Sequence, residues 1–290
     1  SRLLGYLRDI LIAIFLGTSL VADAFFVAFR IPNTFRRLFA EGTFNAAFVP
    51  SYTSQLIKGK TKSTNFAGEI FNLLFLGLLF LVFVIELFMP TFVGLIAPGF
   101  INDIKKIELA TDLTRITFPF LLFVSLASFF AAILNSHNKF AAASAAPIIL
   151  NIILIGVLIF SKVLNDQLVY YLSYGVSIAG FLQLIFLYKF VKKFYKIRLN
   201  FKFQFTKEVK TFFKKLLPSI FSSGVTQINI LVGTIIASFQ ASAVSYLYYA
   251  DRIYQINLAI AGIAIGVVIL PQLSKYVHLK KKRKDCFNSK

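Results

Sequence analysis

The chain has 290 residues, 58% of them hydrophobic and 15% charged, yet 31 Lys and Arg against 12 Asp and Glu leave a formal charge of +19. Soluble domains average about 45–50% apolar and about 25% charged residues, so an ordinary cytosolic enzyme is a poor fit. A pI near 10.0 would suggest a nucleic-acid binder, but a mean hydropathy of +0.76 does not.

What remains is an integral membrane protein whose positive charge lies outside the hydrocarbon. Cys286 is the only cysteine, so disulfides contribute nothing. The chain opens at Ser1 directly into an apolar stretch, with no charged region of the signal-peptide kind before it. It closes on the run KKKRKDCFNSK. It reads as a fragment of a longer protein, missing a little at the front and much at the back.

A bilayer crossing needs about 20 apolar residues in a helix, and eight stretches qualify as candidates. The first, 1–17, carries Arg2, Arg8 and Asp9. The second, 22–57, is too long and polar for a simple span; it carries Asp23, Arg30, Arg36, Arg37 and Glu41, and Pro32 is expected to bend or break it. The third and fourth, 67–97 and 109–135, hold Glu86, Asp112 and Arg115 near their outer ends, where snorkelling accounts for them. Next come 140–160 and 168–189, both almost wholly apolar. The seventh, 212–238, contains Gln227 and Asn229; the eighth, 243–274, contains Asp251, Arg252, Asn257 and the GxxxG pair Gly262 and Gly266. Amides in such spans read as interhelical hydrogen bonds. Runs such as LLFLGLLFLVFVIELF do not alternate, which excludes a transmembrane barrel.

Lysine placement predicts sidedness. With the N-terminus in the cytoplasm, the inner segments 58–66, 136–139, 189–211 and 275–290, counted a few residues into the helix ends, hold 21 basic residues. The outer loops hold Lys105, Lys106 and Lys162. His137 and His278 fall in inner segments, as solvated side chains.

Seven basic residues remain in the spans: Arg2, Arg8, Arg30, Arg36, Arg37, Arg115 and Arg252. All are arginine, although Lys outnumbers Arg 22 to 9. A guanidinium keeps its charge when buried and forks onto carboxylate or phosphate. Each one at a helix centre costs roughly 2.5–3.5 kcal/mol if it faces lipid, so six in the first, second and eighth spans must face a bundle interior or a wet cavity. Asp9, Asp23, Glu41 and Asp251 are available partners. On an unbroken helix Asp23, Arg30, Arg37 and Glu41 lie within about 40° of one another, and Arg2 and Asp9 share a face of the first span. Six cations against four anions leave an excess of about two positive charges, which favours an anionic ligand such as phosphate or pyrophosphate. Structural ion pairing between helices is the plainer reading of the same residues.

An internal repeat points to two lobes. IFLGTSLVADAFFVAFRI (14–31) aligns with IASFQASAVSYLYYADRI (236–253) on A-x-R-I, and a proline follows each, Pro50 and Pro271, at similar distance. Paired lobes related by an axis along the membrane normal are a transporter construction. There is no G-x-x-x-x-G-K-[ST] for nucleotide hydrolysis and no H-E-x-x-H, and one Cys with two distant His makes no metal site. The sequence offers no catalyst, metal or cofactor.

The segments S-R-L-L-G-Y-L-R-D, D-A-F-F-V-A-F-R-I-P-N and R-R-L-F-A-E-G-T-F-N-A-A-F-V-P strongly resemble the MurJ (MviN) family of bacterial lipid II flippases. L-N-S-x-x-x-F with P-x-x-x-N (Asn135, Phe140, Pro147, Asn151), Y-Y-A-D-R and I-L-P-Q-L-S-K extend the match over nearly the whole chain, apart from about the last dozen residues. The resemblance implies an all-α polytopic membrane protein of the MOP-exporter fold: the first six-helix lobe over 1–199, then the start of a second lobe over 200–290 with two helices and a basic cytoplasmic tail. It implies export of the undecaprenyl-pyrophosphate-linked precursor lipid II across the bacterial cytoplasmic (inner) membrane by alternating access. Arg2, Arg8, Arg36 and Arg252 match the family's substrate-binding arginines. Asp9, Asp23 and Glu41 match acidic positions of gating or substrate handling, and Arg30, Arg37 and Asp251 are expected in charge pairing. Cycling would be coupled to membrane potential or an ion. Membrane lipids and other cell-wall synthesis proteins are the expected partners, with no nucleic acid. A related exporter of lipid-linked oligosaccharides or other anionic amphiphiles, and an inactive scaffold, are the alternatives; an exporter of cationic drugs would want an acidic cavity.

Overall fold

The computed structural model describes residues 2–40, 43–160, 166–197 and 205–255. The eighth predicted span beyond residue 255, with Asn257, Gly262 and Gly266, lies outside them, as do His278 and Glu41. The chain divides into two compact units, Ser1–Tyr246 and Leu247–Lys290.

In the first unit the described residues form helices, with no strand among them: α1 (Arg2–Leu16), α2 (Leu20–Ala40), α3 (Thr43–Ile57), α4 (Lys60–Leu87), α5 (Met89–Ile96), α6 (Ile104–Thr117), α7 (Phe120–Ser136), α8 (Phe140–Phe160), α9 (Asp166–Val191) and α10 (Lys207–Ala237). Four stretches are long and apolar enough to cross a bilayer: Lys60–Leu87, Ile104–Ser136, Phe140–Phe160 and Gln167–Val191. The molecule is thus a polytopic all-helical membrane protein.

Local chemistry sets the boundaries. Gly17, at φ +56, closes α1 with its amide on the Ala13 carbonyl, the left-handed stop that glycine adopts without penalty. Ser19 opens α2 by accepting the Ala22 amide on its hydroxyl. Pro90 begins α5, so the predicted span 67–97 is two helices, and its start moves back to Lys60. The predicted inner loop 58–66 therefore shrinks to Lys58 and Gly59. The span 109–135 likewise divides at Phe118 and Pro119.

Pro32 does not end its helix: α2 runs through it, and α3 begins only at Thr43. Proline lacks the amide that would bond the carbonyl four residues back, here that of Ala28. Thr117 of α6 donates its hydroxyl to the Ala28 carbonyl at 3.0 Å, with Thr114 O a second acceptor at 3.2 Å. Re-satisfaction by a neighbouring helix is what makes proline tolerable within a membrane span.

α2 and α7 are the most buried helices: residues 22–32 and most of 120–134 are closed off. α7 packs on α9, α2, α3, α4 and α8, while α1 lies along α8 and α10 along α3. An aromatic cluster ties α3, α4, α7 and α10 together: Phe48 has ring centroids 5.2 Å from Phe129, 5.9 Å from Phe66 and 6.2 Å from Phe212. Phe80, Phe83, Ile152, Phe160 and Phe221 face outward, as lipid-facing side chains do.

Among the described residues, turns near 58, 137 and 194 meet at one end and turns near 18, 99 and 240 at the other. At the lysine-rich end Tyr52 Oη lies 3.2 Å from His137 Nε2, and Thr206 donates to Glu69 at 2.7 Å. At the other end the Gly99 amide donates to Ser238 Oγ at 3.0 Å, and Ser242 Oγ donates to the Thr18 carbonyl at 2.6 Å. Gly99 is obligatory there, because a Cβ would stand 2.3 Å from the Ser238 carbonyl oxygen. α4, with 28 residues, and α10, with 31, each run from one end to the other, about 40 Å at 1.5 Å per residue.

His137 is not simply solvated. Its ring stacks on Phe194 at 4.1 Å, and burial holds its pKa below the usual 6.5.

Candidate functional site: buried charges between the helices

Arg8, 7% exposed, projects from α1 into the bundle. Its Nε and Nη2 donate to Asp9 Oδ1 at 3.0 and 2.7 Å, and Nη1 donates to Asn151 Oδ1 of α8 at 2.9 Å. Asn151 is oriented by its own Nδ2, 3.3 Å from the Pro147 carbonyl. The Phe29 ring of α2 lies 5.7 Å from the guanidinium carbon, within cation–π range. Asp9, placed on one face with Arg2 by spacing, thus holds the adjacent Arg8; the Arg2 side chain lies outside the described part.

Asp23 of α2 is 0% exposed. Its Oδ2 accepts from Lys106 Nζ of α6 at 2.7 Å. Its Oδ1 accepts the Ser245 amide at 2.9 Å and the Ser245 hydroxyl at 2.5 Å. Lys106 was expected in an outer loop; it is instead 7% exposed on α6, over the Phe100 ring at 4.1 Å. The signal lay in helical phase. Asp103 caps α6, accepting the Lys106 amide at 3.2 Å, which puts Lys106 on the buried stripe with Ala110, Leu113 and Thr117. Ser245 had no sequence signal at all.

Arg30, 8% exposed, donates to Thr234 Oγ1 of α10. Asp23 and Arg30, put on one face by periodicity, therefore have separate partners. The side chains of Arg36 and Arg37 lie outside the described part, with Glu41. Lys106 adds one cation to the buried set counted from sequence.

In the second unit Arg252 lies over the Tyr248 ring at 4.7 Å and donates to Gln255 Oε1 at 3.3 Å. Gln255 in turn donates to Asp251 Oδ2 at 2.7 Å. Among the described residues no group of three His, Cys, Asp or Glu side chains could hold a metal ion.

Helices with lipid-facing flanks and fully buried, paired charges define a multi-pass membrane protein with a polar interior. A family model described as lipid II flippase MurJ matches residues 12–289, and the chain belongs to that family. Relatives named "Probable lipid II flippase MurJ" include one from Rhizobium tropici, 42% identical over 290 residues, covering 97% of this chain and 54% of the relative. Another, from Rickettsia prowazekii, is 39% identical over 280 residues, covering 95% and 54%. A third, from Haemophilus influenzae, is 37% identical over 287 residues, covering 95% and 56%. The chain spans about half the length of these relatives.

Proposed function

We propose that this chain is part of a flippase that carries lipid II, a lipid-linked pyrophosphate precursor of peptidoglycan, from the inner to the outer leaflet of the bacterial cytoplasmic membrane. The observation that carries the reading is Arg8, a buried guanidinium held by an acid and an amide that a phosphate could displace. A carboxylate that competes for the arginine keeps the empty site neutral and makes anion binding reversible. Arg2 and Arg36 are assigned to the same headgroup site and Arg252, in the second unit, to substrate binding, with Asp9, Arg30, Arg37, Glu41 and Asp251 in charge pairing.

Alternating access needs an end that opens. The Asp23–Ser245 bonds join α2 to the first turn of the helix that begins at residue 243, at the lysine-poor end, and we assign them as its clasp. Hydrogen bonds to a charged group contribute about 1.5–3 kcal/mol each. Releasing Ser245 is therefore a few kcal/mol, provided Lys106 stays on Asp23. Losing both partners would bare a buried carboxylate at far greater cost.

The lysine-rich end is assigned to the cytoplasm, with the N-terminus there. Eight spans are counted, six in a first lobe over 1–199 and two in a second over 200–290. The chain has no nucleotide-binding loop, and cycling is assigned to membrane potential or an ion. Other cell-wall synthesis proteins are proposed partners.

The test is lipid II exposure at the outer leaflet of cells that depend on the complete gene product. Arg8→Ala, Arg36→Ala and Arg252→Ala should each abolish it at normal membrane levels. Unimpaired exposure in all three would overturn the reading.

A further inference from the structure

A second polar site lies at the lysine-rich end, away from Arg8 and Asp23. A cavity of about 300 Å³ opens between α3 and α10, lined by Ser51, Ser54, Gln55, Lys58, Phe66, Lys207, Glu208, Thr211 and Lys215. The aromatic cluster holds its walls: Phe66, at its floor, packs on Phe212 at 6.3 Å, one residue beyond Thr211. The two helices that frame it are therefore fixed by packing and not by the polar groups.

The lining is rich in free donors. Lys58, Lys207 and Lys215 face one carboxylate, Glu208, which leaves two positive charges. Ser51 and Thr211 spend their hydroxyl protons on the Ala47 and Lys207 carbonyls, both at 2.8 Å. The Gln55 amide is the telling group. It is 8% exposed, lines the cavity, and has no hydrogen-bond partner among the described residues. The amide opens onto the cavity, where it can donate to or accept from a bound ligand. Basic pockets between helices on the cytoplasmic side of a membrane suit anionic head groups.

We infer that this cavity is a binding site for a phosphate-bearing anion, held by the ammonium groups of Lys58, Lys207 and Lys215 and oriented by the Gln55 amide. The phosphate could belong to an anionic phospholipid of the adjacent leaflet or to a soluble phosphate. Nothing in the inference depends on lipid II or on transport.

The experiment uses the full-length protein purified in detergent, probed with phosphatidylglycerol, with inorganic phosphate and with pyrophosphate, and read by native mass spectrometry. Lys58→Ala/Lys207→Ala/Lys215→Ala should weaken retention of the bound probe at least about tenfold, a difference of about 1.4 kcal/mol. Gln55→Leu should weaken it too, with the surface charge unchanged. Lys210→Ala/Lys214→Ala is the control, since both residues are exposed on α10 but do not line the cavity. Retention of phosphatidylglycerol that free phosphate does not displace identifies a lipid site. Binding of phosphate or pyrophosphate that depends on the same residues identifies a soluble ligand. Either result sustains the inference. Equal loss in the cavity and control variants, or no binding of any probe, overturns it.

Discussion

Asp23 is fully buried, and Lys106 is the cation that contacts it. Removing one partner of a buried ion pair costs about 3–5 kcal/mol, because the other charge is left uncompensated. Lys106→Met should therefore lower the thermal midpoint of the purified protein strongly. Lys106→Met/Asp23→Asn should recover most of the loss, because the uncompensated charge is then gone. An equal loss in single and double variants would show that Lys106 matters through packing on Phe100 instead.

His137 makes a second prediction at this scale. Burial lowers its pKa below 6.5, so the unfolded chain takes up a proton more readily than the folded one. The neutral ring favours the folded state above pH 6.5, and that contribution is lost as pH falls from 6.5 through the folded pKa. Thermal unfolding between pH 7.5 and 5 should show the decline, and His137→Gln should flatten it. Proximity to Tyr52 and Phe194 produces this behaviour, and neither neighbour is near His137 in sequence.

At the level of helices, the joint between α2 and α6 is the most testable element. Thr117→Val removes the donor that serves the Ala28 carbonyl and should cost about 1–3 kcal/mol, the penalty for an unsatisfied buried acceptor. Pro32→Ala restores the main-chain amide, so in that background Thr117→Val should cost distinctly less. Unfolding measured for the four proteins of the double-mutant cycle gives the coupling directly; zero coupling would mean that Thr117 acts elsewhere. Proline alone suggested a bend or a break. Whether a helix survives proline depends on a donor from another helix, here 89 residues away, and no local pattern carries that information.

For the molecule as a whole, hydropathy and lysine placement were the legible layer. The apolar run of α8 was readable, because 21 such residues after the polar turn at 137–139 leave no other solution. Among the described residues, turns near 58, 137 and 194 meet at one end and turns near 18, 99 and 240 at the other. Pairing of charges was not legible: Asp23 meets Lys106 across 83 residues and Ser245 across 222, and sequence periodicity cannot choose among partners at such separations. Sidedness itself is open to a direct test in a Cys286→Ser background. A cysteine replacing Asn138, at the lysine-rich end, should resist a membrane-impermeant thiol reagent in intact cells, whereas one replacing Gln240 should react. The reverse pattern would invert the assigned topology.

The contact between Asp23 and Ser245 has a consequence for how the following segment folds. Residues 243–255 are helical, so the Ser245 amide is one of the first-turn donors that a helix cannot satisfy internally. The local candidate to cap it, Ser242, turns its hydroxyl to Thr18 instead. The cap is borrowed from α2, and it comes charged, at the end of the helix where negative charge is favoured. Closing this end of the bundle and starting that helix are thus a single event. Each opening would leave the first turn uncapped, and the helix would be expected to fray there before it moved as a whole.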